Sequence, residues 1–290
     1  MTSLPNPYPY GLRQLMLTPY VDMQGTVLGG TSYPMPVAMT MGFSETEQFD
    51  ELRGDDVLVA VHGRGAQVDW SLEAGGIPIK AWSIISGGMV LEEGVTPNRK
   101  VRLRKSVDDL RPYFRVDGRS VSDSGGNVVG RIYRCKANGR IQGDRRGGSF
   151  MTSSIDGVGL PLVGDAGRWL YEWIQNETDN PLSSTPEANP LPIPMNLVAG
   201  TLTTTSVALS WDAIPGFDNV GNGDKYYVQQ SIDSGVTWTH TTSAHGGEPT
   251  TNSTTVTTLT TGTSYQFRVA FWAAGTTIGD YSTPITAVTP

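Results

Sequence analysis

Apolar and polar side chains alternate along most of this chain. In TSVALSWDAIP, Val207, Leu209 and Trp211 point one way and Ser206, Ala208, Ser210 and Asp212 the other, the period-two signature of a half-buried strand. Tyr226–Ile232, the turn Asp233-Ser-Gly235 and Val236–His240 read as a hairpin, because a tight Gly-containing turn joins two β-type runs. Ser253–Leu259, Ser264–Trp272 and Ile285–Thr289 continue the pattern, with Tyr265, Phe267, Val269 and Phe271 sharing one face. Short strands with a turn signal every 8 to 12 residues or so predict a sandwich of two antiparallel sheets for the last hundred residues.

The front of the chain also reads mostly as strands: Leu12–Thr18, Val37–Gly42, Val57–Val61, Ala66–Leu72, Lys100–Lys105, Tyr113–Val121, Asn127–Ala137 and Gly139–Gly143. Several of these are charged on one face, Arg131 and Arg134 sharing a strand with Ile132 and Tyr133, and such a face needs water or an ionic partner. Two helices are predicted among them. Gly76–Met89 has Pro78 at its start, Ile77, Ala81, Trp82 and Ile85 on one side and Gly87-Gly88 at its end. Asp165–Glu177 has an Asp cap and a stripe of Trp169, Leu170, Trp173 and Ile174.

The 35 Gly and 19 Pro agree with strands and turns rather than long helices. Five prolines between Asn180 and Met195 predict an extended spacer. The expected organisation is therefore a domain over 1–179, a Pro-rich linker over 180–192 and a second domain over 193–290.

Charge narrows the function. A net charge of -7 and a pI near 5.0 disfavour a nucleic-acid-binding surface. The charge is uneven, since the last hundred residues hold Lys225 and Arg268 against Asp212, Asp218, Asp224, Asp233, Glu248 and Asp280. Cys135 is the sole cysteine, so no intrachain disulfide forms. No stretch has the length of a signal-peptide core or a membrane span, so synthesis and folding in a reducing cytoplasm, with no membrane partner, are expected.

Catalytic chemistry is not evident. His62, His240 and His245 have no Cys nearby and no metal-ligand spacing. Gly63-Arg-Gly65 begins like a dinucleotide loop but lacks the third Gly and runs into a strand. Asp55-Asp56, Glu92-Glu93 and Asp108-Asp109 are neighbours on extended chain, which sends their carboxylates to opposite faces. No enzyme activity, metal or cofactor is expected.

Two long charged hairpin segments remain. Phe43–Asp56 is mainly acidic, with Glu45, Glu47, Asp50, Glu51, Asp55 and Asp56; Gly94–Tyr113 is mainly basic, with Arg99, Lys100, Arg102, Arg104 and Lys105. Segments of this length usually serve a function. Opposite charge suggests that each meets the other on a neighbouring copy, which predicts head-to-tail assembly into rings or tubes.

Family resemblance agrees with both halves of this reading. PIPMNLVAG, the Trp in VALSW, Leu259-Thr-Thr-Gly-Thr-Ser-Tyr265, FRV and YSTPITAVT resemble fibronectin type III modules. The resemblance implies a core of Trp211, Tyr227, Tyr265, Phe267 and Val269, with the Tyr265 hydroxyl returning to backbone near Leu259. In the front domain, YGLRQLMLTPYVDMQGT, VAVHGRGAQVDWSLEAGGIPIKAWSIISGG and RPYFRVDGRSVSDSGGNVVGRIYRCKANGRIQGD resemble the major tail tube proteins of long-tailed bacteriophages. That family implies a β-sandwich or barrel with a flanking helix, homo-hexameric rings stacked into a tube, and a lumen through which DNA passes without specific binding during ejection. It also implies a place in the virion tail after assembly in host cytoplasm, with tape measure, tail terminator and tail-tip proteins as partners and the second domain displayed outside. Exposed aromatics such as Trp238 or Trp272 would give that domain weak contact with host-surface glycans. The alternatives are another virion decoration or baseplate protein, or a secreted glycan-binding or glycan-acting protein carrying a type III module.

Overall fold

The computed structural model describes residue 4 and residues 6–290, other than 55–56, 140, 142–147, 149–151, 164–168, 215–216, 222, 242–247 and 275–276. The protein is mainly β, with several sheets and, among the described residues, one short helix. It divides into two compact units, the first of residues 1–162 and 169–188 and the second chiefly of residues 189–290.

The first unit runs β1 (Pro9–Pro19), β2 (Tyr33–Pro34), β3 (Ala38–Gly54), β4 (Val57–Gly75), α1 (Ile79–Ser86), β5 (Met89–Glu93), β6 (Lys100–Arg104), β7 (Phe114–Ser122), β8 (Asn127–Ala137), β9 (Thr152–Leu160) and β10 (Tyr171–Asn176). An eight-stranded sheet has the order β2-β1-β7-β8-β9-β4-β3, with β10 also on β8, while β5 and β6 pair apart from it. The far edge of β8 is shared: residues 127–132 pair with β10 and residues 134–137 with β9. The sheet folds over on itself, so that a Cβ at Gly118 of β7 would collide with Met41 of β3. Between its layers lie Leu15, Leu17, Leu72, Val116, Ile132 and Ile155, all 2% exposed or less, with Trp70 set edge-on to Phe114 at 5.6 Å.

Helix α1 falls inside the predicted span. Pro78 precedes it with extended backbone, and it stops at Gly87, whose φ of 77° suits glycine and whose Cβ would lie 2.5 Å from the Leu110 carbonyl oxygen. Ala81, Ile84 and Ile85 face the core.

The second predicted helix is not formed over its described part. Tyr171–Asn176 is strand β10, bonded to β8 from Tyr171↔Ile132 to Asn176↔Asn127. Stripe spacing in an aromatic-rich run fits either period when the run is this short, and the open half-edge of β8 decides in favour of strand. The Trp173 ring lies against Gly130, where a Cβ would sit 2.9 Å from it. Strand β9 lacks a hydrophobic alternation for a related reason: it turns Gly157 and Gly159 toward Trp70, Val68 and Ile132, which fill the space that side chains would take. The predicted strand Gly139–Gly143 falls largely outside the described residues.

Residues 180–188, which composition reads as a spacer, are held against the first unit. Gln14 and Leu182 exchange side-chain to backbone bonds of 2.8 and 3.1 Å, Ser32 N–H donates to the Ser184 carbonyl, and Arg115 Nη1 donates to the Glu187 carbonyl at 2.7 Å. Proline fixes the backbone as extended but leaves carbonyls and neighbouring amides free to bond, and here they do.

The second unit is a sandwich of β11 (Val198–Leu202), β12 (Val207–Ser210) and β15 (Ser253–Val256) facing β13 (Lys225–Ser231), β14 (Thr239–His240), β16 (Ser264–Ala273), β17 (Thr277–Tyr281) and β18 (Ile285–Val288). The predicted alternation holds, with Val207, Leu209, Trp211, Tyr265, Phe267, Val269 and Phe271 all inside. Tyr265 Oη accepts the Thr260 N–H at 3.0 Å, closing the corner beside Leu259. Tyr227 is not in this core. Of the Tyr226-Tyr227 doublet only one ring can face inward, and pairing with β16 places Tyr226 opposite Phe271 and buries it at 1% exposure.

Candidate functional site

The acidic segment expected as a hairpin loop is β3 itself, antiparallel to β4 from Ala38↔Ala74 to Gly54↔Val57. Only the base of this hairpin is supported. Strand β9 reaches β4 from Gly75 to Val68 and no further, so residues 44–54 and 57–67 form a two-stranded ribbon. At about 3.3 Å per residue its paired length is roughly 35 Å. Phe49, Leu52, Val57, Leu58, Val59 and Val61 are 46 to 64% exposed along it, and its described residues from Ser44 to His62 are exposed on both faces.

Physically, this is an unfinished structure. A lone two-stranded hairpin is marginal in water, and a long apolar edge strand is a template for pairing. In the sheet order β3 lies at one margin and β1 near the other, where β2 covers only Met16 and Leu17. Two open edges at opposite margins are what strand addition between copies requires. At the ribbon's root, Phe43 packs on Tyr171 and Trp173 at 5.0 and 5.2 Å, and Trp173 is 63% exposed.

The charged candidates divide between two sheets. Glu45, Glu47, Asp50 and Glu51 are exposed on the ribbon, where Glu45 accepts the Tyr171 hydroxyl at 2.5 Å and Glu51 pairs with Arg53 at 2.8 Å; Asp55 and Asp56 lie outside the described residues. The Glu45 contact raises the Tyr171 pKa. The basic set stands on β6 and its flanks, with Lys100, Arg102 and Arg104 exposed and Val101 and Leu103 half-buried, as the alternation predicts. Its nearest carboxylates are on its own hairpin: Arg99 pairs with Glu92, and Arg102 with Glu93 at 3.1 Å. Lys105 Nζ donates to the Ser86 and Asp109 carbonyls at 2.6 and 2.7 Å. Exposed pairs of this kind contribute about 0 to 1 kcal/mol. The charges therefore leave the apolar ribbon as the stronger feature, one signalled by VLVAV but indistinguishable in sequence from a buried strand.

A second cluster is hidden. Arg115 and Asp117 on β7 and Arg131 on β8 are 1, 3 and 5% exposed. Arg115 Nε donates to Asp117 Oδ2 at 3.0 Å, and Arg131 Nε donates to the other Asp117 oxygen. The remaining Arg131 nitrogens donate to Glu172 at 2.6 Å and Glu187 at 2.9 Å. Burial works against the Arg131 charge, but Asp117 foremost, with Glu187 and Glu172, outweighs it and raises the pKa. Burial and Glu172 likewise raise Tyr133, and burial raises Cys135. Arg115, Asp117, Arg131 and Glu187 line a cavity of about 240 Å³ that the 180–188 strap helps to wall. The bonding makes it an ionic lock for that strap. Among the described residues no three His, Cys, Asp or Glu side chains converge as metal ligands.

Residues 192–288 match the family model described as fibronectin type III domain, and they form such a domain. Among solved structures, the chain is similar to a type III domain of human collagen XX at 24% identity, covering 37% of this chain and 100% of that one with a TM-score of 0.28. It is also similar to a type III domain of human fibronectin type III domain containing protein 3, at 19% identity with 37% and 92% covered and a TM-score of 0.29. No curated protein matches the chain.

Proposed function

We propose that the chain is a structural virion protein that closes into hexameric rings and stacks them into the tail tube of a long-tailed phage. The proposed lumen passes DNA to the host, the type III domain stands on the outside, and the tape measure, terminator and tail-tip proteins are the other partners. The observation that carries this reading is the β3–β4 ribbon with its exposed Phe49, Leu52 and Val57–Val61 rows. Covering it with the sheet edge of a neighbouring copy would remove apolar surface from water and satisfy edge amides in one step. Repeating one such head-to-tail contact gives a ring when the rotation closes. The net charge of -7 suits a conduit for DNA, since phosphates are not held by an acidic chain. The charged segments 43–56 and 94–113 are proposed as the contacts between rings.

Purified protein at rising concentration should give rings or tubes in negative-stain electron microscopy. Leu52→Glu with Val59→Glu should leave monomers whose melting temperature is unchanged, because both side chains are already in water. Tubes formed as readily by this variant would sink the assignment of the ribbon. Wild-type protein that stays monomeric at all concentrations, with and without tail-tip initiator, would sink the tube itself.

A further inference from the structure

The outer face of the β13–β14–β16–β17 sheet concentrates chemistry that the type III core does not use. Its alternate residues point away from the core, and among them the Arg268 guanidinium lies between the Trp238 ring at 4.1 Å and the Tyr281 ring at 3.9 Å. Nε and Nη2 of Arg268 both donate to Gln229 Oε1, at 3.0 and 2.6 Å. One row further along, Tyr227 stacks on His240 at 4.3 Å and stands edge-on to Trp272 at 5.8 Å, with Lys225 Nζ 5.4 Å from the Trp272 ring.

Charge gives this face its direction. Lys225 and Arg268 are the only lysine and arginine in residues 189–290, against six carboxylates, and both stand here. Lys225 already pairs with Glu248 at 3.0 Å. Among the described residues, no acidic side chain lies within ion-pair reach of Arg268. Partial burial between the rings lowers its pKa, so the charge is held with aromatic faces and an amide oxygen but without a counter-ion. An aromatic ring stabilises a cation on its face, yet a carboxylate would stabilise it more.

We infer that this face binds an acidic polysaccharide, with pyranose rings packed on the Tyr227–Trp272 step and their carboxylates paired with Arg268. The apolar C–H faces of a sugar suit flat aromatic surfaces, and Gln229 and His240 offer hydrogen bonds beside them. Strand-mounted side chains hold these groups in a fixed pattern. An extended polymer fits an open sheet face, whereas a small molecule would need a concave pocket. The rest of the unit repels anions, so charge steers such a polymer to this side. The inference rests on the second unit alone and stands whether or not the chain forms tubes.

Affinity electrophoresis of the full chain through gels containing polygalacturonate, its methyl ester or poly-glutamate tests it. Polygalacturonate should retard the protein with a Kd on the order of 0.1 to 1 mM, an affinity typical of a single shallow contact. The ester and poly-glutamate should each bind about 10-fold more weakly, a difference of roughly 1.4 kcal/mol, and added salt should weaken the interaction. Arg268→Gln and Tyr227→Ala should each reduce retardation about 10-fold, with melting temperatures recorded to confirm folding. The ester comparison uses unaltered protein, so it decides the matter even if Arg268→Gln unfolds. Absent retardation, equal retardation by ester or poly-glutamate, or full binding by a folded Arg268→Gln protein would each overturn the inference.

Discussion

The two units apply one period-two pattern in opposite ways. The second hides Trp211, Tyr226, Tyr265, Phe267 and Phe271 in its core and leaves its Lys225–Glu248 ion pair half-exposed. The first buries Arg115, Asp117 and Arg131 and leaves Phe49, Leu52 and Val59 in water. Alternation tells which residues share a face, but it does not tell which face the rest of the molecule covers. A module that completes its own core can be read from that pattern alone; a unit that relies on a strap for its charges and, as proposed, on a neighbour for its apolar rows cannot.

Removing Asp117 should give the largest separation between them. Asp117→Ala takes the shared acceptor from two buried guanidiniums, and breaking such a network costs about 3 to 5 kcal/mol. Calorimetry of the full chain should show that loss in the first unit. Replacing Arg115, Asp117 and Arg131 together by Leu, Leu and Met should be far milder, because no buried charge then lacks a partner. If the single change cost under about 1 kcal/mol, well short of that range, the contrast in interior chemistry would have no energetic meaning.

What was legible follows the same division. Trp211, Tyr265, Phe267 and Val269 were identifiable because each continues the alternation of a strand, Trp211 directly after β12 and the others within β16, in a unit that closes by itself. Tyr227 was not, since a tyrosine doublet hides its register until β16 is in place. In the first unit, α1 was marked by Pro78 and Gly87. Strand β10 was disguised because Trp169, Leu170, Trp173 and Ile174 satisfy a helical stripe, and β9 because Gly157 and Gly159 record space taken by other strands' side chains. The need of Arg131 for an ionic partner was visible in sequence, but Glu172 and Glu187 are 41 and 56 residues away and nothing local names them. The acidic and basic sets were visible as sets, whereas their pairing with Arg53, Glu92 and Glu93 on the same hairpins depends on register.

A smaller effect is expected in the second unit, where one hydroxyl closes a corner. Tyr265→Phe removes the acceptor for the Thr260 amide while keeping the buried ring. A neutral hydrogen bond of this kind contributes about 1 kcal/mol, so the second unit's chemical denaturation midpoint should fall modestly while the first unit's stays fixed. A loss as large as that from Asp117→Ala would mean that this unit, too, depends on a buried polar contact.

The smallest effect concerns acid. The Thr237 hydroxyl, the Thr237 amide and the Ser231 hydroxyl hold the Asp233 carboxyl at about 2, below its ordinary 3.8. Because the folded value lies below the unfolded one, the stabilisation is complete above about pH 4 and disappears as pH falls toward 2. The first unit has a matching loop: desolvation raises Asp22, but the amides of Val27 and Thr26 and the Thr26 hydroxyl outweigh it and again give about 2. Asp233→Asn should thus flatten only the second unit's share of the loss between pH 4 and 2, and Asp22→Asn only the first unit's, each seen as the difference from wild type in melting temperature against pH. Solvent screens both sites, so each change should be smaller than that of Tyr265→Phe. If Asp233→Asn lost stability with acid as steeply as the unaltered chain, the carboxylate would contribute nothing to the turn.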